Sequence, residues 1–466
     1  MNLSLQDFLK QKSWFSTSLK VPKNQNLSKT LCQSSQFLQP RSTVEEVTQS
    51  ENSLKKTIKL RLLPSEAQKE LLTSWFGSFR WYYNYTLDVL QQMQETDEYK
   101  NMFFHGKLSN QSLRDFLMVT KPSEEKWFNY PSFQEVNRYE YDPDQNKFPI
   151  PNWMEGEIPS RIPRGAVKNL TGNINSCLSN LRNGNITHFQ MRRKTKRDSS
   201  QVLIFEDSTS HNLLPKQTFG ETIAYYKEKH RKISLKDLSL GKSSFTIYYD
   251  KLTEKYFLCV PRDLVISSEN QATNNVISLD PGVRCFQTGY CPDTPHVVEI
   301  SNDNSKLWKL LEKIDKFTSW KSKKIKNSRN YKRLTTKILF LHRQLKNMVS
   351  DMQWKACNFL VSNYGSVILP EFRTSEMLKK KKLARRTKRM MNTLSHFKFK
   401  QKLEFKCREN RTKLFIVDES YTSKTCGSCG KLNDNLKSSK DFNCKNCGIS
   451  IDRDYNGARN ILIKNS

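Results

Sequence analysis

Four cysteines, Cys426, Cys429, Cys444 and Cys447, fall in a CxxC–x14–CxxC pattern with a glycine directly after each pair. Two such knuckles present four thiolates in a tetrahedron, the donor set of a structural zinc ion with no open coordination position. The intervening GKLNDNLKSSKDFN is polar and has no core of its own, so its order depends on the metal. A second group of residues is acidic. Asp280 closes the apolar run Val276, Ile277, Ser278, Leu279, and Asp452 and Asp454 follow the last cysteine closely. Alone, LDPG is a turn and Asp454 a first-turn helix acid. Together, such carboxylates can hold two Mg2+ ions about 4 Å apart for phosphodiester hydrolysis, one ion activating water and one steadying the leaving oxygen.

That chemistry requires elements that bring Asp280 and a late aspartate to one place. The strand ending at Asp280 is followed by a strand at 285–290 and a third at HVVEI. About sixty Lys-rich, helix-patterned residues (304–362) come next, then the strand SVILPEF, the helix LSHFKFKQKLEFKCRE and the strand TKLFIVDES. After the cysteines, RDYNGARNILIK is a short helix. A three-stranded meander, helix, strand, helix and strand is the order of an RNase H-like fold, in which the first strand and the last helix meet. Asp452 and Asp454 then compete for that place, and both can lie near the metals.

The first half has a different pattern. Residues 1–53 are rich in Ser, Gln, Asn and Lys without a sustained period, as in a disordered tail. Ile58, Leu60 and Leu62 alternate with basic residues, as in a half-buried strand, and Ser65 with Gln68 forms a capping box. In FRWYYNYTL, Arg80 and Tyr83 can meet nucleic acid, although an aromatic stripe at helical spacing more often makes a core. A second amphipathic helix carries Val167, Leu170, Ile174, Leu178 and Leu181. The basic cluster Arg192, Arg193, Lys194, Lys196 and Arg197 sits between a strand-like HFQM and the strand VLIFED, which suits a loop gripping a phosphate backbone. FTIYYD and KYFLCVP form a hairpin.

Lys and Arg outnumber Asp and Glu by 78 to 46, a net charge of +32 over 466 residues. This favours a polyanionic partner, most simply nucleic acid, because each neutralised phosphate releases a counterion. No run of about 18 apolar residues exists and no signal-peptide h-region opens the sequence. Eleven cysteines cannot all pair within one chain, which fits a reducing compartment and one metal site.

At LRLLPSEAQKELL, RWYYN, ISLDPGVRCF, DESYTSKTCGSCG and CKNCGISIDRDYNGARNI the chain resembles the TnpB/Fanzor nucleases, compact RNA-guided relatives of type V CRISPR effectors. The resemblance implies an α/β and α+β multidomain protein. Its parts would be a tail (1–53), a WED β-barrel (54–275) interrupted by a helical REC region (about 64–182), a RuvC nuclease core (276–425), a zinc ribbon (426–447) and a final RuvC segment (448–466). It implies an Mg2+-dependent endodeoxyribonuclease that binds a structured guide RNA, reads a short target-adjacent motif and cuts double-stranded DNA as a monomeric ribonucleoprotein. The second aspartate of DRDYNGA is the family's catalytic one, which selects Asp454 over Asp452. The middle strand departs from the family. Matching Phe372 and Met377 to the family's anchors puts Pro370 where a metal-binding Glu belongs, with Glu371 one residue late and so on the opposite face of a strand. Glu419, closing the next strand, is the other candidate, as in members with a relocated Glu. The run KKKKLARRTKRM, with Lys380, Lys381, Arg385 and Arg386, suits a heteroduplex contact, a nuclear localisation signal, or both. Two other readings use the same residues: a transposase-type enzyme without guide RNA, and an RNA-guided binder with an inactive site.

Overall fold

The computed structural model describes residues 15–20, 45–46, 55–92, 118–120, 126–128, 161–205, 222–226, 230–234, 244–264, 275–294, 297–302, 304–372, 374–379, 383–418, 420–433 and 439–465. Two short strands come first, β1 (Phe15–Lys20) and β2 (Glu45–Glu46). The expected tail therefore supplies two pieces of sheet. The six residues of FSTSLK are too few to stand out in a Ser- and Gln-rich stretch.

The chain forms two compact units, one of residues 53–263 and one made of residues 1–52 and 264–466. In the first, β3 (Lys55–Leu62) leads to α1 (Glu66–Gln92). The capping box is present in both directions: Ser65 N donates to Gln68 Oε1 at 2.9 Å and Gln68 N to Ser65 Oγ at 3.3 Å. Strands β4 (Met118–Thr120) and β5 (Lys126–Phe128) pair as a separate ribbon. Then follow α2 (Arg161–Arg182), β6 (Ser200–Phe205), β7 (Thr222–Tyr226), β8 (His230–Ser234), β9 (Phe245–Asp250) and β10 (Lys255–Asp263). The antiparallel order is β6-β9-β10-β3-β7-β8. Among the described residues β6 and β8 are edges, so the barrel expected from the resemblance is here a six-stranded sheet. Helices α1 and α2 bury Leu72, Trp75, Phe79, Val167 and Leu170 in one core with Leu203 of β6. HFQM is irregular rather than a strand, and Lys194, three residues after it, bonds through its backbone to Asn84 of α1 rather than to a ladder.

In the second unit the chain forms β11 (Val276–Pro281), β12 (Gln287–Tyr290), β13 (Val297–Asn302), α3 (Asn304–Ser322), α4 (Arg329–Asn363) and β14 (Ser366–Pro370). There follow α5 (Thr374–Lys379), α6 (Arg385–Leu394), α7 (His396–Asn410), β15 (Lys413–Val417), β16 (Asp441–Asn443), β17 (Ser450–Asp452) and α8 (Arg453–Asn465). The main sheet has the order β1-β13-β12-β11-β14-β15-β2. Strands β11, β14 and β15 run parallel, while β12 is antiparallel to both neighbours. The first strand of the meander is thus central, and the three parallel strands end along one edge.

The pleat sorts side chains cleanly. Ile277, Leu279, Val367, Leu369, Leu414 and Ile416 face a core built with Leu307, Met352, Leu360, Phe399 and Leu403. Ile368, Phe415 and Val417 face the other way, onto Tyr455, Ala458, Ile461 and Leu462 of α8. One face of the sheet therefore carries α3, α4 and α7, and α8 lies on the opposite face. No helix among the described residues is long and apolar enough to cross a membrane.

Candidate active site and zinc ribbon

Asp280 is the next-to-last residue of β11, on the α8 face, two residues after Ser278, whose buried Oγ donates to the Ala458 carbonyl of α8 at 2.7 Å. The helix approaches so closely that a Cβ placed on Gly457 would stand 2.6 Å from Asp280 Oδ2. Gly457 is three residues after Asp454, on the same side of the first turns of α8. The first strand and the last helix meet, and Asp280 lies against Gly457 of α8.

The structure separates Asp452 from Asp454. Asp452 Oδ1 accepts from the backbone N of Asp454 at 2.9 Å and of Tyr455 at 3.4 Å, so it is the N-cap of α8. Its other oxygen faces Lys440 Nζ at 3.5 Å. Asp454 sits in the first turn. Burial pushes its carboxyl above the usual carboxylate range and the Asp452 charge adds to this, while Arg284, Arg453 and Lys440 oppose it. A buried carboxylate beside a like charge is a group that a divalent cation would neutralise.

Glu371 goes elsewhere. Its backbone N donates to the Val417 carbonyl at 2.8 Å, extending the ladder, and the residue lines a cavity of about 290 Å3 with Pro281, Gln287, His396 and Phe399. Phe399 belongs to the core on the face away from α8. The one-residue offset at Pro370 therefore turns Glu371 from the helix carrying Asp454. Glu419 lies outside the described residues, as do Lys380 and Lys381.

The four cysteines close together. Their Sγ atoms all lie within 4.8 Å of one another, and Cys426–Cys447 and Cys429–Cys444 are each 3.6 Å apart. A tetrahedron with Zn–S bonds of about 2.3 Å has edges near this length. Each knuckle uses its glycine alike. Gly430 (φ 71°) donates to the Cys426 carbonyl at 2.9 Å and Gly448 (φ 70°) to that of Cys444 at 3.0 Å. Backbone donation from Lys431, the largest influence, draws the Cys429 thiol down to about 6, favouring thiolate. Arg459 of α8 is buried beside the first knuckle, its Nε and Nη1 without a protein hydrogen bond. Four thiolates around a divalent ion leave the net negative charge that this guanidinium needs nearby, so the donor set fits zinc.

Two asparagines that the sequence reading passed over lock the ribbon to α8. Asn456 accepts from Gly427 N at 2.9 Å and donates to the Thr425 carbonyl at 2.7 Å. Asn460 donates to the carbonyls of Thr422 at 2.8 Å and Thr425 at 2.7 Å. Amides four apart in an otherwise apolar helix face were the available signal, since buried amides need partners.

The expected nucleic-acid residues divide. Tyr83 is a core residue, 2% exposed, with Lys194 Nζ 4.6 Å from its ring centre, so it offers no face for a base. Arg80 bonds Gln201 at 2.6 Å and is half-buried. Arg193 pairs with buried Asp88, and Asn84 grips Lys194 through its backbone N at 2.8 Å and carbonyl at 2.9 Å. The loop is thus held firmly while Arg192, Arg193, Lys196 and Arg197 stay at least partly exposed. Arg385 and Arg386 are exposed at the start of α6, with Arg386 over the Trp308 ring at 4.3 Å.

Sheet, ribbon and acidic helix define a mixed α/β protein in which a four-cysteine ribbon is inserted between the last main strand and the helix that crosses the first. Residues 396–461 match the Cas12f1-like TNB domain family, and residues 52–98 match a helix-turn-helix domain family of the OrfB/IS605 type. Over the latter the described residues form β3 and the single helix α1. The TnpB-like protein L79 of Acanthamoeba polyphaga mimivirus is 28% identical over 413 residues, 87% of this chain and 72% of that protein. The CRISPR-associated endodeoxyribonuclease Cas12f1 of Sulfoacidibacillus thermotolerans is 35% identical over 78 residues, 16% of this chain and 18% of that protein. The solved structure of a Cas12f1–sgRNA–target DNA complex has a similar fold, with TM-score 0.52 and 14% identity over 88% of this chain and 99% of that one. Over most of its length the chain is thus similar to TnpB-like proteins of giant viruses.

Proposed function

We propose that this protein is an RNA-guided DNA endonuclease with an RNase H-like, RuvC-type site. The observation that carries the reading is the convergence of Asp280, at the end of the central strand, on the first turns of the helix bearing Asp454. The strand order with β11 central supports it, as does the similarity to TnpB-like proteins and, over 78 residues, to one named as the endodeoxyribonuclease Cas12f1. Mg2+ bound there would activate water and steady the leaving oxygen. Asp280 and Asp454 are the described ligands, and Glu419 is the third acid in this reading. Gly457 admits Asp280, Asp452 fixes the helix start, and the ribbon fixes the helix as a whole. The exposed cations of the loop at 192–197 hold guide RNA, base pairing selects the target, and the protein reads heteroduplex shape and a short duplex motif. A monomeric ribonucleoprotein and nuclear residence through residues 379–389 complete the reading; scattering mass and a fluorescent fusion test them.

The first experiment is expression with the native flanking DNA, purification at moderate salt and sequencing of the bound RNA. One dominant RNA with a constant folded part, followed by Mg2+-dependent cutting of matching DNA, is the expected result. A smear of cellular RNA removes the guided reading and leaves a transposase-type enzyme. The position of Glu371 favours one second reading, a guided binder that does not cut. It predicts target binding by the same ribonucleoprotein with no product at any Mg2+ concentration.

A further inference from the structure

Helices α3 and α4 form an arm that extends beyond the core. The last buried residue of α3 is Ile314 and the first of α4 is Leu345. Between the helices, Asn327 takes a left-handed φ of 68° and the Ser328 hydroxyl caps α4 at 3.2 Å from Tyr331 N. No Asp or Glu occurs from residue 316 to 350, whereas eleven Lys and Arg fall between 316 and 346. Near the tip is a cavity of about 460 Å3 whose lining includes Phe317, Trp320, Lys323, Lys324, Arg333 and Lys337. Trp320 is 44% exposed and meets Phe317 edge-on at 5.4 Å, with Lys316 Nζ 5.0 Å from its ring centre.

These features belong together only for one kind of partner. A merely solvated charged arm has no need of an exposed indole, which costs apolar hydration. Among the described residues none of Lys323, Lys324, Arg333 and Lys337 pairs with a carboxylate. An aromatic cavity walled by unpaired cations suits an unstacked base with its phosphates. The arm is rooted at the turn that follows Asp280: Asn304, first residue of α3, donates to the carbonyls of Val283 at 3.4 Å and Arg284 at 2.8 Å. The 19 residues of α3 then carry the tip about 28 Å from that root.

We propose that the arm is a second binding site for the DNA strand led to Asp280 and Asp454. An unpaired base enters the Trp320 cavity, and the adjoining phosphates lie on Lys323, Lys324 and Arg333. The inference rests on the reading of the acidic edge as a DNA-cutting site, and it adds a subsite for single-stranded DNA at the tip of the arm.

The test uses the full ribonucleoprotein carrying Asp280→Asn, with fluorescein-labelled oligo(dT) and binding followed by anisotropy across a salt series. Trp320→Ala is expected to weaken binding about 5- to 100-fold, with Trp320→Phe restoring most of it. The double variant Lys323→Glu, Lys324→Glu is expected to flatten the salt dependence. Retained RNA and thermal midpoint stay unchanged, since these side chains are exposed. Unchanged oligo(dT) affinity in both variants overturns the proposal, and so does a loss of retained RNA with DNA affinity intact, which makes the arm an RNA site. Binding is read without cleavage, so failure of the parent chain to cut DNA counts against the proposed function separately.

Discussion

Gly457 and Asp280 occupy one another's space: a methyl on the glycine would lie 2.6 Å from the aspartate Oδ2. The far end of a short side chain can rotate away, so Gly457→Ala is expected to keep the fold. The gain in helix propensity, about 1 kcal/mol, offsets part of the crowding. DNA cleavage is expected to fall about 100-fold because Asp280 is displaced. Circular dichroism and a cleavage time course together check this; full activity would mean that Asp280 does not act from its observed position.

The raised Asp454 carboxyl gives a pH signature. Its folded pKa lies above the unfolded value, so its contribution to stability is present below the ordinary carboxylate range, about 3.9, and is lost as pH rises through the raised value. Metal-free Asp454→Asn is therefore expected to be more stable than the parent at neutral pH, with the two converging in acid. The same variant is expected to be inactive. Thermal melts from pH 3 to 8 with chelator present measure the difference.

Asp452 and Asp454 are two residues apart but do different work. Asp452→Ala removes an N-cap, a loss of about 1 kcal/mol, and leaves partial activity; Asp452→Asn retains the cap. Equal loss of cleavage in Asp452→Asn and Asp454→Asn would show both carboxylates acting on the reaction.

Glu371→Gln is expected to leave cleavage intact, because its side chain shares a cavity with Phe399 on the face away from α8. Glu419→Gln is expected to abolish it. The reverse outcome would require β14 to bend at Pro370 when DNA binds.

Zinc removal is expected to act on the acidic helix at a distance. Cys444→Ser should lower zinc from one ion per chain, expose α8 to protease and abolish cleavage that added Mg2+ does not restore. Elemental analysis with limited proteolysis checks all three. Retained cleavage in the zinc-free variant would detach the ribbon from the site.

The strand order, the knuckles and the meeting of Asp280 with the last helix were legible because each rests on a local pattern: apolar runs, CxxC spacing and a first-turn acid. What was not legible depends on partners distant in sequence. Tyr83 has the look of a stacking residue until α2 and Lys194 cover it, and HFQM has strand-like residues but no ladder to join. The division between Asp452 and Asp454 hangs on where the helix begins, which one residue of β17 decides. Glu371 is the opposite case: the one-residue offset beside Pro370 already indicated its face.

The ribbon also decides how the last part of the chain is held. Asn456 and Asn460 bind the stretch before the first knuckle, and the second knuckle runs through β17 directly into α8. The helix is thus tethered from both sides of the excursion, by the cysteine cluster and by amides, which sets up a test by cutting the chain between Leu432 and Ser439. A break engineered there would leave two fragments sharing one ion, so that a chelator uncouples the carboxylate from the sheet and added zinc couples it again.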